Sequence, residues 1–385
     1  MSRVLIVGGY GAFGARLAER LAREDALEII VAGRSQVKAA AYVLKLARTA
    51  KARLSHAALD AMNADAGALR ALGASVVINA SGPYQAQAYA LAQACIDAGC
   101  HYVDLADARA FVTGITALDA GGKAAGVAVI SGASSVPGLS SAVVQTFAGA
   151  FERLDAVEIG ISPGNSFDPG VATAASILSQ AGQPHAELQE GRQETVYGWQ
   201  GLSRHRFPGI GARWMSHVSV PDLDLLPAHY PTLRTARFSA GVELAPYHLG
   251  LWSLSWLVRA GLVRNLGGLA APLLGAKRWL RVFGSDRGDM FVTMRGSGTD
   301  GTQKLLTWHL IARSGHGPYV PAIASVILAK QLARGHGLPP GARPCFQLFS
   351  LADFEAEVAD LDVNCSAKWD PEPAGGPNSF AQRPT

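Results

Sequence analysis

Short apolar runs alternate with helix-like segments along the first 150 residues of the chain. Residues 4–7 are all apolar, and after a run of glycines apolar residues return at helical spacing at Phe13, Leu17 and Leu21. The same alternation predicts further strands at 28–32, 54–59, 76–79, 102–105 and 127–130, and helices at 36–51 and 85–98. Short apolar strands that alternate with helices are typical of a parallel sheet with both faces covered. Residues 1–145 are therefore predicted to form a Rossmann-type, doubly wound parallel sheet.

The hydrophobic pattern changes at about residue 150. Partial alternation of apolar and polar positions predicts strands at 157–161, 290–294 and 305–311. The loops between them are rich in glycine, proline and aromatic residues, which favours a second, α+β domain over residues 146–320 with a mixed or antiparallel sheet. Helical spacing returns at 321–332. We assign residues 321–369 to a C-terminal segment and the proline-rich residues 370–385 to a loose tail.

The turn after the first predicted strand carries the pattern G-x-G-x-x-G at Gly9, Gly11 and Gly14. The first glycine permits a sharp turn, the second lets a pyrophosphate approach the backbone, and the third lets the helix pack closely on the strand. The N–H groups of the first helical turn then face the phosphates. We predict a dinucleotide site here; the alternative is a structural β–α turn without a ligand. The predicted cofactor-binding residues of this turn are Gly8, Gly9, Tyr10, Gly11, Ala12, Phe13 and Gly14.

The end of the second predicted strand indicates which dinucleotide is bound. NAD-binding domains place Asp or Glu there to hold the ribose 2′-hydroxyl, whereas this chain has Arg34 and Ser35, with Lys38 one turn later. A guanidinium and a hydroxyl bind the 2′-phosphate of NADP, which a carboxylate would repel. The sequence therefore favours NADP over NAD, and the alternative is a solvated arginine that begins the next helix. Asp60, at the end of the third strand, is either a neighbour of the adenine or the cap of its own turn.

Composition and charge narrow the class of protein. The 385 residues are 49% apolar and 17% charged, which predicts a core-rich globular chain of at least two domains. The net charge is +4 and the Lys and Arg residues are scattered, so no nucleic-acid partner is implied. The four cysteines lack C-x-x-C spacing, and we expect reduced thiols in a cytoplasmic protein without a signal peptide.

Two classes of dehydrogenase do not fit the sequence. No tyrosine is followed by a lysine four residues later, which is the acid pair of a short-chain dehydrogenase. Cys and His clusters with the spacing of zinc ligands are also absent, so no metal is expected. Catalysis would then depend on hydride transfer by the cofactor itself.

Five short motifs lie near the carboxyl ends of the predicted strands. They are N-A-S-G-P-Y at 79–84, H-Y-V-D-L-A-D at 101–107, G-G-Y-G-A-F-G at 8–14, A-G-R-S at 32–35 and G-A-S-S-V-P-G-L-S-S at 132–141. With these motifs, residues 1–145 resemble the saccharopine dehydrogenase-like NADP-dependent reductases. Weaker similarities recur at 315–319 and 341–344. Within this family the chain looks closer to the saccharopine dehydrogenase-like oxidoreductases and the trans-acting enoyl reductases than to the lysine-pathway enzyme.

The resemblance implies positions for both the cofactor and the C-terminal segment. That segment is expected to pack back against the first domain, and Asp107 is expected to lie on the nicotinamide side of the cleft. The strand pattern also places these residues at the carboxyl edge of the sheet, where ligands of such domains bind. The other residues expected to line the nicotinamide are Ala80, Ser81, Gly82 and Pro83.

Hydride transfer leaves a charge that needs a proton or a hydrogen-bond donor. The candidates are Tyr84, Asp107 and His316, because their turns can plausibly reach the nicotinamide end of the cofactor. Each has a structural alternative: Tyr84 stacks on the cofactor, Asp107 caps the next helix, or His316 shapes a Gly-Pro turn.

Residues 249–283 are apolar but are interrupted by arginine and lysine, so neither apolar run is long enough to span a membrane. We expect them to cap an apolar substrate cavity or to form a subunit contact, and an interfacial membrane helix is the alternative. The polar and aromatic residues at 204–208 and 213–214 are expected to form a substrate loop or a packed surface, and a helix facing the cleft is expected to start at 170–175.

These observations predict an NADP-dependent oxidoreductase. Because its second domain is apolar, the expected substrate is a small hydrophobic carbonyl, imine or conjugated alkene. We expect a cytoplasmic homodimer that does not span a membrane. The alternative is an NADP-binding sensor or assembly protein that has the fold but not the chemistry.

Overall fold

The computed structural model describes residues 2–85, 87–279, 283–335 and 337–371. The contacts between these residues divide the chain into two compact units. The first unit contains residues 2–142 and 318–357, and the second contains residues 143–317 and 358–371, as far as each is described. Most of the predicted loose tail at 370–385 lies outside the described residues.

The described residues form both strands and helices throughout the chain. The strands are β1 (Ser2–Val7), β2 (Leu27–Gly33), β3 (Arg53–Ala58), β4 (Val76–Asn79), β5 (His101–Asp104), β6 (Ala128–Ser131), β7 (Arg153–Ser162), β8 (Pro184–Gln189), β9 (Arg192–Tyr197), β10 (Ser203–Phe207), β11 (Gly211–His217), β12 (Thr235–Ala240), β13 (Gly288–Ser297), β14 (Gln303–Ala312), β15 (Gly341–Pro344) and β16 (Val363–Pro371). The helices are α1 (Ala12–Leu21), α2 (Gln36–Leu46), α3 (Ala66–Leu72), α4 (Ala90–Ala98), α5 (Arg109–Gly114), α6 (Asp119–Ala125), α7 (Ser140–Ala148), α8 (Gly170–Ser179), α9 (Asp222–His229), α10 (Ala245–Arg259), α11 (Ala270–Trp279), α12 (Val320–Ala333) and α13 (Leu351–Val358).

The first unit is built on a parallel sheet. In the described part of the chain its seven strands lie in the order β15-β6-β5-β4-β1-β2-β3, and every neighbouring pair is parallel. Strands β4 and β6 are fully buried, and so are residues 4–7 of β1, as expected when helices cover both faces. The predicted Rossmann-type sheet is confirmed, and the strands predicted after the first each end within one residue of the observed bounds.

Two features of the first unit differ from the prediction. Helix α4 begins at Ala90, whereas the pattern predicts a helix from residue 85. The residues before it are held in a turn, since the Gln87 side-chain amide donates to the carbonyls of Ser81 and Pro83 at 3.2 and 2.7 Å. Side-chain hydrogen bonds of this kind compete with helix formation. The second difference is β15, a short strand beside β6 that the apolar pattern misses.

The second unit is built on a mixed sheet, as predicted. Among the described residues its main path is β10-β11-β12-β7-β13-β14-β16, with β8 and β9 attached beside β12. Strands β7 and β12 are parallel, and the other pairs are antiparallel. A helix, α8, begins at Gly170 as expected.

Two segments of the second unit need correction. Residues 204–208 and 213–214 were expected in a substrate loop or a packed surface, and they lie in the hairpin of β10 and β11 and not in a loop. Residues 321–369 were expected to pack on the first domain as one segment, whereas β16 pairs with β14 in the second sheet and only residues 318–357 join the first unit. Both strands lie at an edge of the sheet; β10 is almost wholly polar and β16 alternates apolar with polar residues, so neither has a continuous apolar run to reveal it.

Candidate functional site

The candidate site lies at the carboxyl ends of the strands in the first unit. Strand β1 is central, with β2 and β3 on one side and β4, β5 and β6 on the other. The chain direction around the sheet reverses at β1, and ligands of such sheets bind in the crevice at this reversal. The turns that follow β1, β2 and β4 therefore form the candidate cofactor site.

The glycine turn after β1 is tightly packed on itself. The N–H groups of Gly8 and Gly9 both donate to the carbonyl of Ala32, at 2.9 and 3.0 Å. Gly8 has a φ of +80°, a conformation that favours glycine. A Cβ on Gly14 would lie 2.1 Å from the carbonyl oxygen of Gly8, so only glycine lets α1 start this close to the turn. The spacing of the glycines in the sequence motif thus has a steric cause.

This turn fits a pyrophosphate. Helix α1 begins at Ala12, and its N-cap residue, Gly11, is exposed and offers no side-chain cap to the first N–H groups. No acidic side chain occupies the first turn of α1. The helix start therefore has no side-chain cap and presents the positive end of its dipole, which favours phosphate binding.

Tyr10 connects this turn to the turn after β2. Its ring lies directly over Gly33, where an added Cβ would meet ring atoms at 2.6 Å. Its hydroxyl accepts a hydrogen bond from the backbone N–H of Ser35 at 3.0 Å. The sequence includes Tyr10 among the cofactor residues only as part of the glycine motif, and does not reveal this bridge.

The turn after β2 fits the 2′-phosphate of NADP. The Arg34 side chain is exposed and forms no ion pair or hydrogen bond with any described residue. Ser35 is the N-cap of α2, where its Oγ accepts from the N–H of Lys38 at 3.3 Å. The hydroxyl proton of Ser35 stays available to a phosphate oxygen. The first turn of α2 contains no acidic side chain. The Arg34 guanidinium, the Ser35 hydroxyl and the positive end of the helix dipole therefore all favour the 2′-phosphate.

Asp60 accepts hydrogen bonds within its own turn. Its carboxylate accepts from the N–H of Met62 at 3.2 Å and from the side-chain amide of Asn63 at 3.1 Å. This geometry matches the capping alternative, and a place beside the adenine stays a prediction.

The turn after β4 is fixed by Asn79. Its Oδ1 accepts from the N–H and the hydroxyl of Ser81, at 3.1 and 2.5 Å, and its amide donates to the hydroxyl of Tyr102 at 3.2 Å. The N–H of Ala80 donates to the carbonyl of Val7 at 2.8 Å, which joins this turn to the end of β1. The residues predicted to line the nicotinamide are therefore held next to the glycine turn.

Tyr84 is placed as an anchor of this turn. Its hydroxyl donates to the carbonyl of Asn79 at 2.6 Å, and its ring packs on Phe111 with centroids 5.4 Å apart. Complete burial, with the charges of Asp104 and Asp107 nearby, raises the pKa of Tyr84 well above its usual range. A buried phenol whose proton is already donated to a carbonyl is a poor proton source, so the geometry favours a structural role for Tyr84.

Asp107 and His316 lie in different units. Asp107 follows β5 in the first unit and is half-buried. His316 belongs to the second unit, where its Nδ1 accepts from the N–H of Asp362 at 2.8 Å. That bond fastens the turn that contains His316, as the structural alternative supposes. Only Asp107 shares a unit with the dinucleotide turns.

Asp104 is a polar residue of this site that the sequence analysis overlooks. It is fully buried at the end of β5, and its Oδ1 accepts from the N–H groups of Ala106 and Gly132 and from the hydroxyl of Ser131, at 2.8 to 2.9 Å. Its Oδ2 is buried without a hydrogen-bond partner among the described residues. Burial raises the pKa of Asp104 to about 6, although the hydrogen bonds from Gly132 and Ala106 act in the opposite direction. Asp104 thus ties the turns after β5 and β6 together.

Replacing Asp104 with asparagine is expected to change how stability depends on pH. The folded-state pKa of about 6 lies above the ordinary value of 3.8, so ionisation weakens the fold as pH rises between these two values. Asp104→Asn keeps an acceptor oxygen and cannot ionise. Relative to this variant, the wild type should lose up to about 3 kcal/mol of unfolding free energy from about pH 4 to about pH 7. Urea unfolding at several pH values measures the difference, and a constant difference would contradict the prediction.

The second unit has its own polar cluster beside a small apolar core. His309 on β14 shares a hydrogen bond with Asp289 on β13, with 3.1 Å between Nδ1 and Oδ1. Asp289 Oδ2 and His205 Nε2 are buried and have no hydrogen-bond partner in the described part of the chain. The His205 ring stacks on Phe291 with centroids 3.8 Å apart, and Gly160 leaves room for the phenyl ring beneath it. The hairpin that carries His205 therefore folds over the sheet.

This cluster could not be found from the sequence pattern alone. His309 lies within an apolar strand, where it was expected only as part of the sheet. Burial, with the charge of His309 as a second cause, lowers the pKa of His205 to about 4. Burial raises the pKa of Asp289, against the hydrogen bond from His309. An Asp–His pair of this kind orients the imidazole so that its other nitrogen can give or take a proton.

The residues that the structure describes include no group of three or more His, Cys, Asp or Glu side chains placed to hold a metal ion. No helix within the described ranges combines the length and the apolar composition of a membrane crossing.

Comparison with known proteins relates the first unit to a family. Residues 4–130 match the family model described as the saccharopine dehydrogenase NADP binding domain. No curated protein matches the sequence. Among solved structures, the saccharopine dehydrogenase (L-Glu forming) of Saccharomyces cerevisiae has a TM-score of 0.65 at 15% identity, over 96% of this chain and 100% of that one. The amine dehydrogenase of Mycobacterium smegmatis has a TM-score of 0.49 at 13% identity, over 91% and 96% of the two chains.

At 15% identity the yeast structure establishes the fold, and the family model identifies the cofactor as NADP. The glycine turn, the free Arg34 guanidinium and the Ser35 hydroxyl are the residues that would hold it. Bound there, NADP supplies the hydride chemistry. Residues 4–130 are therefore similar to the saccharopine dehydrogenase NADP binding domain, on a chain that shares the fold of saccharopine dehydrogenase.

Proposed function

We propose that this protein is an NADPH-dependent oxidoreductase that reduces a hydrophobic carbonyl, imine or conjugated alkene. The observation that carries the proposal is the arrangement of the turns after β1 and β2, where an uncapped helix start and an unpaired Arg34 offer two anion sites joined by Tyr10. These sites suit the pyrophosphate and the 2′-phosphate of NADPH. The homodimer and the cytoplasmic location stay predictions.

The second unit supports a substrate with little charge. Phe207, Met215 and Phe291 form a small apolar core beside the His309–Asp289 pair. The one buried arginine beside them that the structure describes, Arg213, donates to the carbonyls of Ser162, Pro163 and Arg287 and pairs with Glu243 at 3.2 Å. Because that guanidinium is already satisfied, it has little to offer the carboxylates of an amino-acid adduct. An apolar core with one Asp–His pair beside it suits a substrate with one reacting polar group.

Asp107 is the proposed proton donor of the first unit. It shares a unit with the dinucleotide turns and is half-buried, whereas the hydroxyl of Tyr84 is held by Asn79. A carboxylic acid at the nicotinamide edge of the site would protonate the atom left negative by hydride transfer.

Turnover of NADPH with a panel of substrates tests the proposed function. The panel contains medium-chain ketones and aldehydes, the same ketones mixed with primary amines, and conjugated enones, with a charged 2-oxo diacid as the polar counterpart. We expect the absorbance of NADPH to fall with at least one hydrophobic class and not with the diacid. Tight NADPH binding without turnover of any substrate would instead favour an NADP-binding sensor. Turnover of the diacid alone would overturn the hydrophobic assignment.

A further inference from the structure

The second unit exposes an apolar turn, which comprises Trp256, Leu257, Leu262 and Val263. The sequence predicts that residues 249–283 bury their apolar faces, and α10 does bury Leu251. The four residues of the apolar turn are nevertheless exposed, from 38% for Val263 to 74% for Leu262. Contiguous exposed apolar groups of this kind mark an interaction surface.

The apolar turn is held in a defined conformation. Helix α10 ends in a Schellman motif, in which the N–H of Leu262 donates to the carbonyl of Leu257 at 3.0 Å and that of Gly261 to Val258 at 2.9 Å. Gly261 has a φ of +75°, as this motif requires. The Gln183 side chain then donates to the carbonyl of Arg264 at 2.8 Å. The exposed side chains are thus presented on a hydrogen-bonded frame.

The segment around the apolar turn is positively charged. Residues 244–285 contain five Arg or Lys residues and no Asp or Glu, together with three tryptophans. Arg264 is exposed beside Val263. Arg259 is stacked over the ring of Tyr197 at 3.9 Å and donates to the Gln200 side chain at 2.7 Å. Apolar residues, tryptophan and cations without any anion are the composition of an interfacial membrane segment.

The positive charge of this segment favours a lipid surface over a second copy of the chain as the partner of the apolar turn. In a two-fold dimer the same surface patch lies on both sides of the contact. Two copies of the apolar turn would then bring Arg259 and Arg264 close to their own equivalents, with no acidic residue between 244 and 285 to separate them. An anionic lipid surface offers both an apolar layer and the opposite charge.

We propose that the apolar turn docks the protein on an anionic membrane surface. Leu262 and Val263 enter the boundary between headgroups and acyl chains, Trp256 lies at headgroup level, and Arg264 contacts lipid phosphates. The contact is peripheral, and it is independent of the proposed oxidoreductase function. The proposed membrane contact can therefore be confirmed or refuted without testing the proposed oxidoreductase function.

Cosedimentation of the full chain with vesicles tests the proposal. We expect binding to vesicles of phosphatidylcholine with about one-third phosphatidylserine, and little binding to pure phosphatidylcholine. The double variant Leu262→Asp, Val263→Asp should bind the anionic vesicles at least about tenfold more weakly, because two apolar groups are lost and two negative charges are added. The matched control is Ala41→Asp with Leu44→Asp, which adds the same two negative charges at exposed positions of α2 away from its first turn, and Leu44 is as exposed as Leu262, at 74%. Control and wild type should bind alike.

Several results would overturn the proposal. One is the absence of binding to the anionic vesicles, and another is equal weakening by the control variant. Binding that disappears at high salt but is unchanged in the Leu262, Val263 variant would show adsorption by charge alone. Self-association in sedimentation velocity, abolished by the same variant, would identify a second copy as the occupant. Circular dichroism and NADPH titration establish that each variant is folded before it is compared.

Discussion

Asp107→Asn is expected to lower NADPH turnover about 10²- to 10⁴-fold, which is the usual contribution of a positioned acid. Asparagine matches the shape of aspartic acid but has no proton to give to the reduced substrate. Because Asp107 is proposed to act in the chemical step, the Kd for NADPH should stay close to that of the wild type. Stopped-flow measurement of NADPH oxidation, with the substrate that emerges from the panel, gives the rate, and fluorescence titration gives the Kd.

Asp97→Asn is the control for the loss of a carboxylate in the first unit. Asp97 is exposed near the end of α4, and its side chain accepts from Gln93 at 2.8 Å. This variant should turn over NADPH at the wild-type rate. If Asp107→Asn does so as well, the proton comes from another group. His309, oriented by Asp289, would then be the next residue to replace.

Arg34→Ala is expected to weaken NADPH binding by about 10- to 150-fold and to leave NADH binding unchanged. A hydrogen bond to a charged group contributes about 1.5–3 kcal/mol, which corresponds to this range of affinity. The guanidinium forms no ion pair or hydrogen bond among the described residues, so its removal breaks none there. Arg34→Asp should go further, because a carboxylate repels the 2′-phosphate and accepts from the ribose of NADH. Titrations with both cofactors at one fixed salt concentration measure the effect.

Arg48→Ala is the matched control for the charge. Arg48 is exposed and follows the far end of α2, about 16 Å from the helix start by the rise of an 11-residue helix. It should leave the affinity for both cofactors unchanged. Equal binding of NADPH and NADH by the wild type, or equal weakening of both by Arg34→Ala, would remove the assigned role of Arg34.

The sequence predicts the first unit well because its signals are local. An all-apolar run followed by closely spaced glycines fixes strand, turn and helix within about 15 residues, and each added strand repeats the signal. A Cβ added at Gly14 would clash with the carbonyl oxygen of Gly8, which shows why the pattern is so strict. The role of Arg34 can be predicted from the sequence for the same reason, because Arg34 comes directly after the end of β2.

The features that the sequence does not reveal depend on distant contacts. The Asp289–His309 pair joins adjacent strands through residues that look like ordinary strand positions. Asp104 is important only because the turn at Gly132 reaches it from another strand. The Tyr84 hydroxyl looks available in the sequence, but the fold gives it the carbonyl of Asn79. Polar roles of this kind are decided by tertiary structure and not by spacing.

The two edge strands supplied by the last part of the chain have a consequence for biosynthesis. Strand β15 covers β6 in the first sheet and β16 covers β14 in the second, so neither sheet is complete until the ribosome has passed residue 341 or 363. Until then each nascent sheet has an open edge whose N–H and C=O groups can pair with other chains. A premature stop codon or a protease cut before residue 341 would therefore damage both units together, and chaperones would meet them as a single client.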